Sequence, residues 1–326
     1  MTPTQIQGFL LGTAVGDAMG VPVEFTTRKF LKEKPVSGMR GYGTHHQPPG
    51  TWSDDSALTY QTTESLIGGQ IDYAGLAQRF LNWYLYAHWT ANGTVFDVGI
   101  ATRNALDRLE QGVEPILAGE THELCNGNGS LMRILPLAFY FRSVHGAGFS
   151  QAERFQLVRN VSSITHGHIR SAIACFILVE FAGLLLDGLS KEAAFAGIQS
   201  GLPAFLESQA PADELELFHR ILAEDLASFP ESDIYSSGYV LHSLEASLWS
   251  LLTTSSFQEA LLRGVNLAGD ADTTGSVTGG LAGLYYGTDG IPAEWLAPLA
   301  RKEDIQQLSD RFTASLLPPA NGAPFN

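Results

Sequence analysis

Apolar residues along the chain recur mostly at the three- and four-residue spacing of a helix. Period-two alternation bounded by turn residues is scarce. Helical patterns cover residues 72–89, 151–162, 191–209, 213–228, 240–253 and 259–267. No run of alternating Val, Ile and Thr between turn pairs argues for a strand. The expectation is an all-α fold. The stretch 171–186 is apolar on nearly every side. It falls short of the ~20 residues a bilayer crossing needs and contains Glu180, so it reads as the central helix of a core. Pro/Gly-rich pieces are confined to the loop near 38–49 and to the end 318–326, expected to be a frayed tail. No stretch reads as a flexible linker, and residues 1–326 are taken as one compact domain.

Two glycine series stand out from this pattern. Gly8, Gly12, Gly16 and Gly20 recur every four residues, as do Gly275, Gly279, Gly283 and Gly287. Each glycine inside a helix costs ~0.5–1 kcal/mol relative to alanine, so a stripe of four needs an offset. Residues four apart share a face, and a smooth face lets another backbone approach closely. Asp17 and Glu24 adjoin the first stripe, while Asp270 and Asp272 lead into the second. The two stripes are expected to be inner helices packed together at a site.

Composition narrows the setting. Of the 326 residues, 44% are apolar and 16% charged, enough for a large core without disulfides. The two cysteines, Cys125 and Cys175, show no metal-ligand spacing and suit a reducing compartment. The start lacks the basic region of a secretory signal, which makes the cytoplasm the expected location. A net charge of −15 repels nucleic-acid backbones and favours cations. Neither a nucleic acid nor a membrane is an expected partner, and a monomer is the favoured state.

The acidic clusters carry the chemistry. Gly50-Thr-Trp-Ser-Asp-Asp-Ser-Ala-Leu58 places Ser53, Asp54 and Asp55 at a helix start, and Gly269-Asp-Ala-Asp-Thr-Thr-Gly275 repeats the arrangement. Taken singly, each reads as an N-cap. A cap needs only one carboxylate, however, and two at one terminus repel each other. Carboxylates and hydroxyls without clustered His or Cys suit hard cations such as Mg²⁺ or Mn²⁺, and two such termini could hold two of them. An EF-hand is excluded, because no further ligand follows Asp272 at the required spacing. In Asn126-Gly-Asn-Gly-Ser-Leu-Met-Arg133, the glycines can bring backbone N–H groups against a phosphate, and Ser130 adds a hydroxyl. A plain turn is the competing reading, as a structural ion pair is for Arg133.

These segments, with Gly8 to Phe25, Ile164-Thr-His166 and Ser237 to Trp249, occur in the order found in ADP-ribosylglycohydrolases, and the chain resembles that family across nearly its whole length. The resemblance implies an all-α orthogonal multi-helix domain with a two-metal cleft. It implies Ser53, Asp54, Asp55, Asp270, Asp272 and Thr273 as ligands of two divalent cations, Mg²⁺ or Mn²⁺. Many relatives carry Thr where Ser53 stands; the hydroxyl is retained. Glu24, Asp97 and Asp55 become catalytic candidates. Asn126, Gly127, Asn128, Gly129, Ser130, Leu131, Met132, Arg133, His166 and Tyr239 become candidates for binding ADP-ribose. Asp97 lies in a segment similar to that of members acting on ADP-ribosyl-arginine, where a carboxylate can pair with the guanidinium. The expected reaction is therefore hydrolysis of the N-glycosidic bond between ADP-ribose and a protein arginine. Serine-linked ADP-ribose, O-acetyl-ADP-ribose and an ADP-ribosylated base stay open as substrates. So do an inactive ADP-ribose-binding or structural relative and a two-metal phosphohydrolase.

Overall fold

The computed structural model describes residues 1–317; the tail 318–326 lies outside the described residues. The longer helices are α1 (Pro3–Gly20), α2 (Asp54–Leu66), α3 (Tyr73–Tyr86), α4 (Ile100–Glu110), α5 (Gln151–Ser163), α6 (Ile169–Leu186), α7 (Lys191–Gly201), α8 (Val240–Leu252), α9 (Phe257–Val265), α10 (Ala271–Tyr286) and α11 (Lys302–Leu316). Among the described residues extended pairing is limited to isolated bridges, of which Glu120–His166 and Gly127–Tyr239 border the site described below. The fold is all-α, and local signals start many of its helices. Thr2 with Gln5 and Ser150 with Glu153 form reciprocal capping boxes, while Ser190 and Ser256 cap α7 and α9.

The glycine stripes explain the centre of the molecule. Helices α1 and α10 run antiparallel in contact along their length. A Cβ added to Gly8, Gly12 or Gly16 would lie 2.3, 2.2 or 2.0 Å from the carbonyl oxygen of Gly283, Gly279 or Gly275. Nothing larger than hydrogen fits between the two backbones, and close dispersion contact offsets the cost of helical glycine. This register carries the end of α1 to the start of α10, where a Cβ on Gly20 would strike Asp272. Asp17 and Glu24 are thereby brought beside Asp270 and Asp272.

Helix α6 is buried among α5, α7, α8 and α10, as its all-round apolar surface demands. Its one acidic side chain, Glu180, receives two hydrogen bonds from Arg154 of α5. Two expected helices are broken. The pattern over 191–209 is interrupted at Pro203, which has no N–H to donate to the Gln199 carbonyl, although Leu202 keeps helical backbone angles. The pattern over 213–228 divides into short turns, Ala212–Glu216, His219–Leu222 and Leu226–Ser228. The Gln199 side chain donates to the Ile221 and Glu224 carbonyls and so replaces helix bonds the break forgoes.

Candidate active site

The two acidic helix starts meet. Asp54 and Asp55 open α2, and Asp270 and Asp272 flank the start of α10. The Thr273 hydroxyl donates to Asp55 Oδ2 at 3.2 Å, joining residues 218 positions apart. Ser53 Oγ caps α2 through the Asp55 N–H and lies 3.4 Å from Asp55 Oδ2. Beneath them Asp17, wholly buried, accepts from the N–H groups of Ser53 and Ser56 and from the Ser56 hydroxyl at 2.6–3.0 Å. Asp17 thus fixes the angle at which α2 presents its carboxylates.

A cleft of about 510 Å³ opens above this floor. Glu24, Asp54, Asp55, Asp97, Asp270 and Thr273 line it together with Gly127, Asn128, Gly129, Met132 and His166. Asn128 ties the glycine loop to the acidic group: its amide donates to Asp270 Oδ2 at 2.9 Å and to Ser243 Oγ at 2.8 Å. A Cβ on Gly129 would come within 2.8 Å of the His166 ring and 3.0 Å of Thr102 Oγ1, so a side chain there would displace one of them.

The donor set fits divalent cations. Among the described residues Asp55 Oδ1, Asp270 Oδ1 and Asp272 Oδ2 are buried acceptors without hydrogen-bond partners, a costly state that cations would relieve. Burial, followed by repulsion from neighbouring carboxylates, pushes Asp54, Asp55 and Asp272 well above the usual carboxylate range. Burial also raises Asp17, to about 6. Ligand-type atoms of Glu24, His45, Asp97 and Asp272 lie within 4.8 Å of one another. Glu24 and Asp97 are therefore neighbours of the metal-type cluster, within one group of acids.

Glu24 is pushed up to about 7, mainly by burial, with a hydrogen bond to His45 opposing and Asp97 and Asp270 adding repulsion. Its partner His45 is raised first by that bond. Asp97 is raised by burial, with His45 opposing and Asp270 adding repulsion, and holds a backbone φ of +55°, strain that often accompanies a functional position. His166 is held neutral: burial and then Arg133 push it down to about 3.

The loop from Asn126 to Arg133 divides between two faces. Gly127, Asn128, Gly129 and Met132 face the cleft. Asn126 is turned to Ser171 and the Glu123 carbonyl, and Leu131 is core. The Ser130 hydroxyl, expected to reach a phosphate, points inward to Ser162 and Cys175. Arg133 is wholly buried over the Phe80 ring and donates to the Thr165 hydroxyl and the Val161 carbonyl. Tyr239, bridged to Gly127, is half-buried with its ring beside Arg170 and does not itself line the cleft. These inward side chains brace the loop from behind. Sequence reasoning missed His45, Thr102, Glu120 and the anchoring role of Asp17. The His45-His46 pair in a Gly/Pro-rich loop was the only available signal for His45.

Comparison with known proteins identifies the family. The ADP-ribosylglycohydrolase family profile matches residues 2–321. An ADP-ribosylarginine hydrolase, Tri1, of Pseudomonas putida is 33% identical over 96% of this chain and 80% of its own. An ADP-ribosyl-dinitrogen reductase glycohydrolase of Rhodospirillum rubrum is 31% identical over 94% of this chain and 95% of its own. A solved ADP-ribosylglycohydrolase-related protein complex superposes with a TM-score of 0.77 at 32% identity, covering 96% of this chain and 98% of that one.

Proposed function

The chain belongs to the ADP-ribosylglycohydrolase family, a family of glycosidase-type hydrolases, and from that premise we propose that it releases ADP-ribose from modified arginine side chains of a protein. The observation that carries this reading is the Thr273–Asp55 contact. It closes two acidic helix starts into one cleft floor whose unpartnered carboxylate oxygens call for cations.

Ser53, Asp54, Asp55, Asp270, Asp272 and Thr273 would hold two ions, Mg²⁺ or Mn²⁺. Bound there, the ions supply electrophilic polarisation of ribose hydroxyls and offset the charge of a pyrophosphate entering an acidic protein. Asp97 supplies a planar carboxylate for the guanidinium, a geometry that favours paired hydrogen bonds. Glu24, raised to about 7, is poised to hold or give a proton near neutral pH beside His45. Gly127 and Gly129 present bare backbone to the cleft, a surface a phosphate could approach. Among the described residues the Thr165 hydroxyl accepts from Arg133 and has no acceptor other than His166 Nδ1, so it donates there and directs the His166 Nε2–H toward the ligand.

The test is Asp270→Asn, assayed on an arginine-linked ADP-ribosyl peptide with Mg²⁺ or Mn²⁺. Release of ADP-ribose should fall at least about 10–100-fold with the helical CD signal retained. Undiminished turnover would remove the metal assignment. Asp97→Asn should slow arginine-linked more than serine-linked substrate, since only the former presents a guanidinium; equal losses would move the linkage assignment elsewhere.

A further inference from the structure

Phe25 follows Glu24 and lines the cleft, yet 68% of it is exposed. Its backbone sits at φ +59°, in the left-handed region that bulky residues rarely occupy. Two backbone bonds pin it there. The Phe25 N–H donates to the Gly269 carbonyl, and the Gly269 N–H donates to the Thr26 carbonyl. Folding would be better served by Gly or Asn at such a position, and by a polar side chain at such exposure. A strained, exposed aromatic held beside a catalytic candidate is a cost with no structural return.

The ring stands beside the two acids assigned to the scissile linkage. It lies 6.4 Å from His45, which hydrogen-bonds Glu24, and His45 lies 5.4 Å from Phe96, the residue before Asp97. Phe25 and Phe96 thus border Glu24 and Asp97 with aromatic surface. The cleft lining also carries the exposed Ile100 and Leu124, neither of them aromatic.

We propose that Phe25 is a specificity-determining contact for the protein portion of the substrate. Its ring packs on the target segment that flanks the modified side chain and leaves ADP-ribose itself to the rest of the cleft. This rests on the ADP-ribosylhydrolase reading above. The occupant is the target polypeptide, because the ring lies outside the acidic floor, next to the groups that hold the bond joining nucleotide to protein.

The experiment compares Phe25→Asn and Phe25→Leu with the unmodified protein on two substrates: an arginine-ADP-ribosylated protein and free ADP-ribosyl-arginine. Asn tolerates the left-handed backbone, so the thermal midpoint should hold or rise. With the protein substrate, kcat/KM of Phe25→Asn should fall roughly tenfold, mostly through KM, and Phe25→Leu should fall less. On ADP-ribosyl-arginine both variants should stay within about twofold of the parent. Equal losses on both substrates would place the ring against ADP-ribose, and no loss on either would leave it without a role; each result overturns the proposal. Failure of the parent protein to cleave ADP-ribosyl-arginine while releasing serine-linked ADP-ribose would sink only the arginine reading. The same comparison would then be made with the serine-linked pair.

Discussion

A buried histidine that cannot take up a proton makes folding depend on pH, and His166 is such a residue. Its neighbour Arg133 donates to Thr165, which bonds His166 Nδ1, so burial and that nearby positive charge hold the ring down at about 3 from its ordinary 6.5. Unfolded, the ring gains a proton below about pH 6.5; folded, it resists until about 3. The stabilising contribution is therefore complete above 6.5 and is lost as pH falls toward 3. Each unit of pH in that window removes up to about 1.4 kcal/mol for a single proton. Urea unfolding of His166→Gln between pH 4 and 6.5 should show a slope shallower by a large part of one proton. An unchanged slope would mean that the ring protonates in the folded state. The same neighbourhood shows what one residue reveals in sequence. His166 stands out once its segment is set beside a family. Whether Ser130 and Arg133 face a ligand depends on which side of the loop meets the core, and that is settled by Ser162, Cys175, Thr165 and Phe80, none of them adjacent in the chain.

At the scale of elements, glycine spacing was the informative signal, because close approach has few sequence solutions. The period of four in both stripes made a contact legible, but the antiparallel register, which sets Gly16 against Gly275, required the structure. Helix interiors were readable from periodicity. The breaks in 213–228 were not, since a distant Gln199 takes over the freed carbonyls without any local proline or glycine stop. The register has a measurable consequence. A methyl on Gly16 would sit 2.0 Å from the Gly275 oxygen, so α1 and α10 must part or slide. Gly16→Ala should cost about 3 kcal/mol or more in urea unfolding, beyond ordinary overpacking because the obstacle is backbone. Gly201→Ala, with nothing within 4 Å, should change stability by less than about 1 kcal/mol. Similar losses at the two positions would show that the stripe does not set the helix spacing. Because Glu24 and Asp272 flank that contact, Gly16→Ala should also weaken any stabilisation by divalent ions.

Across the whole molecule, a net charge of −15 and a set of buried carboxylates gathered from residues 17 to 272 oppose the compact state in the absence of cations. Two remedies act differently. Sodium chloride screens exposed charges over about a Debye length but reaches buried ones weakly. A divalent ion bound at the Asp55–Asp272 floor neutralises them directly and stabilises only the folded chain, by about 2.7 kcal/mol at a hundredfold excess over its dissociation constant. The thermal midpoint of chelator-treated protein should therefore rise with millimolar Mg²⁺ or Mn²⁺ well beyond its rise in sodium chloride of equal ionic strength. Asp272→Asn should lose most of that extra gain and keep the response to sodium chloride. If the salts act alike on both proteins, the acidic floor is a packing feature held by shared protons, and the hydrolase must find its charge stabilisation in other groups.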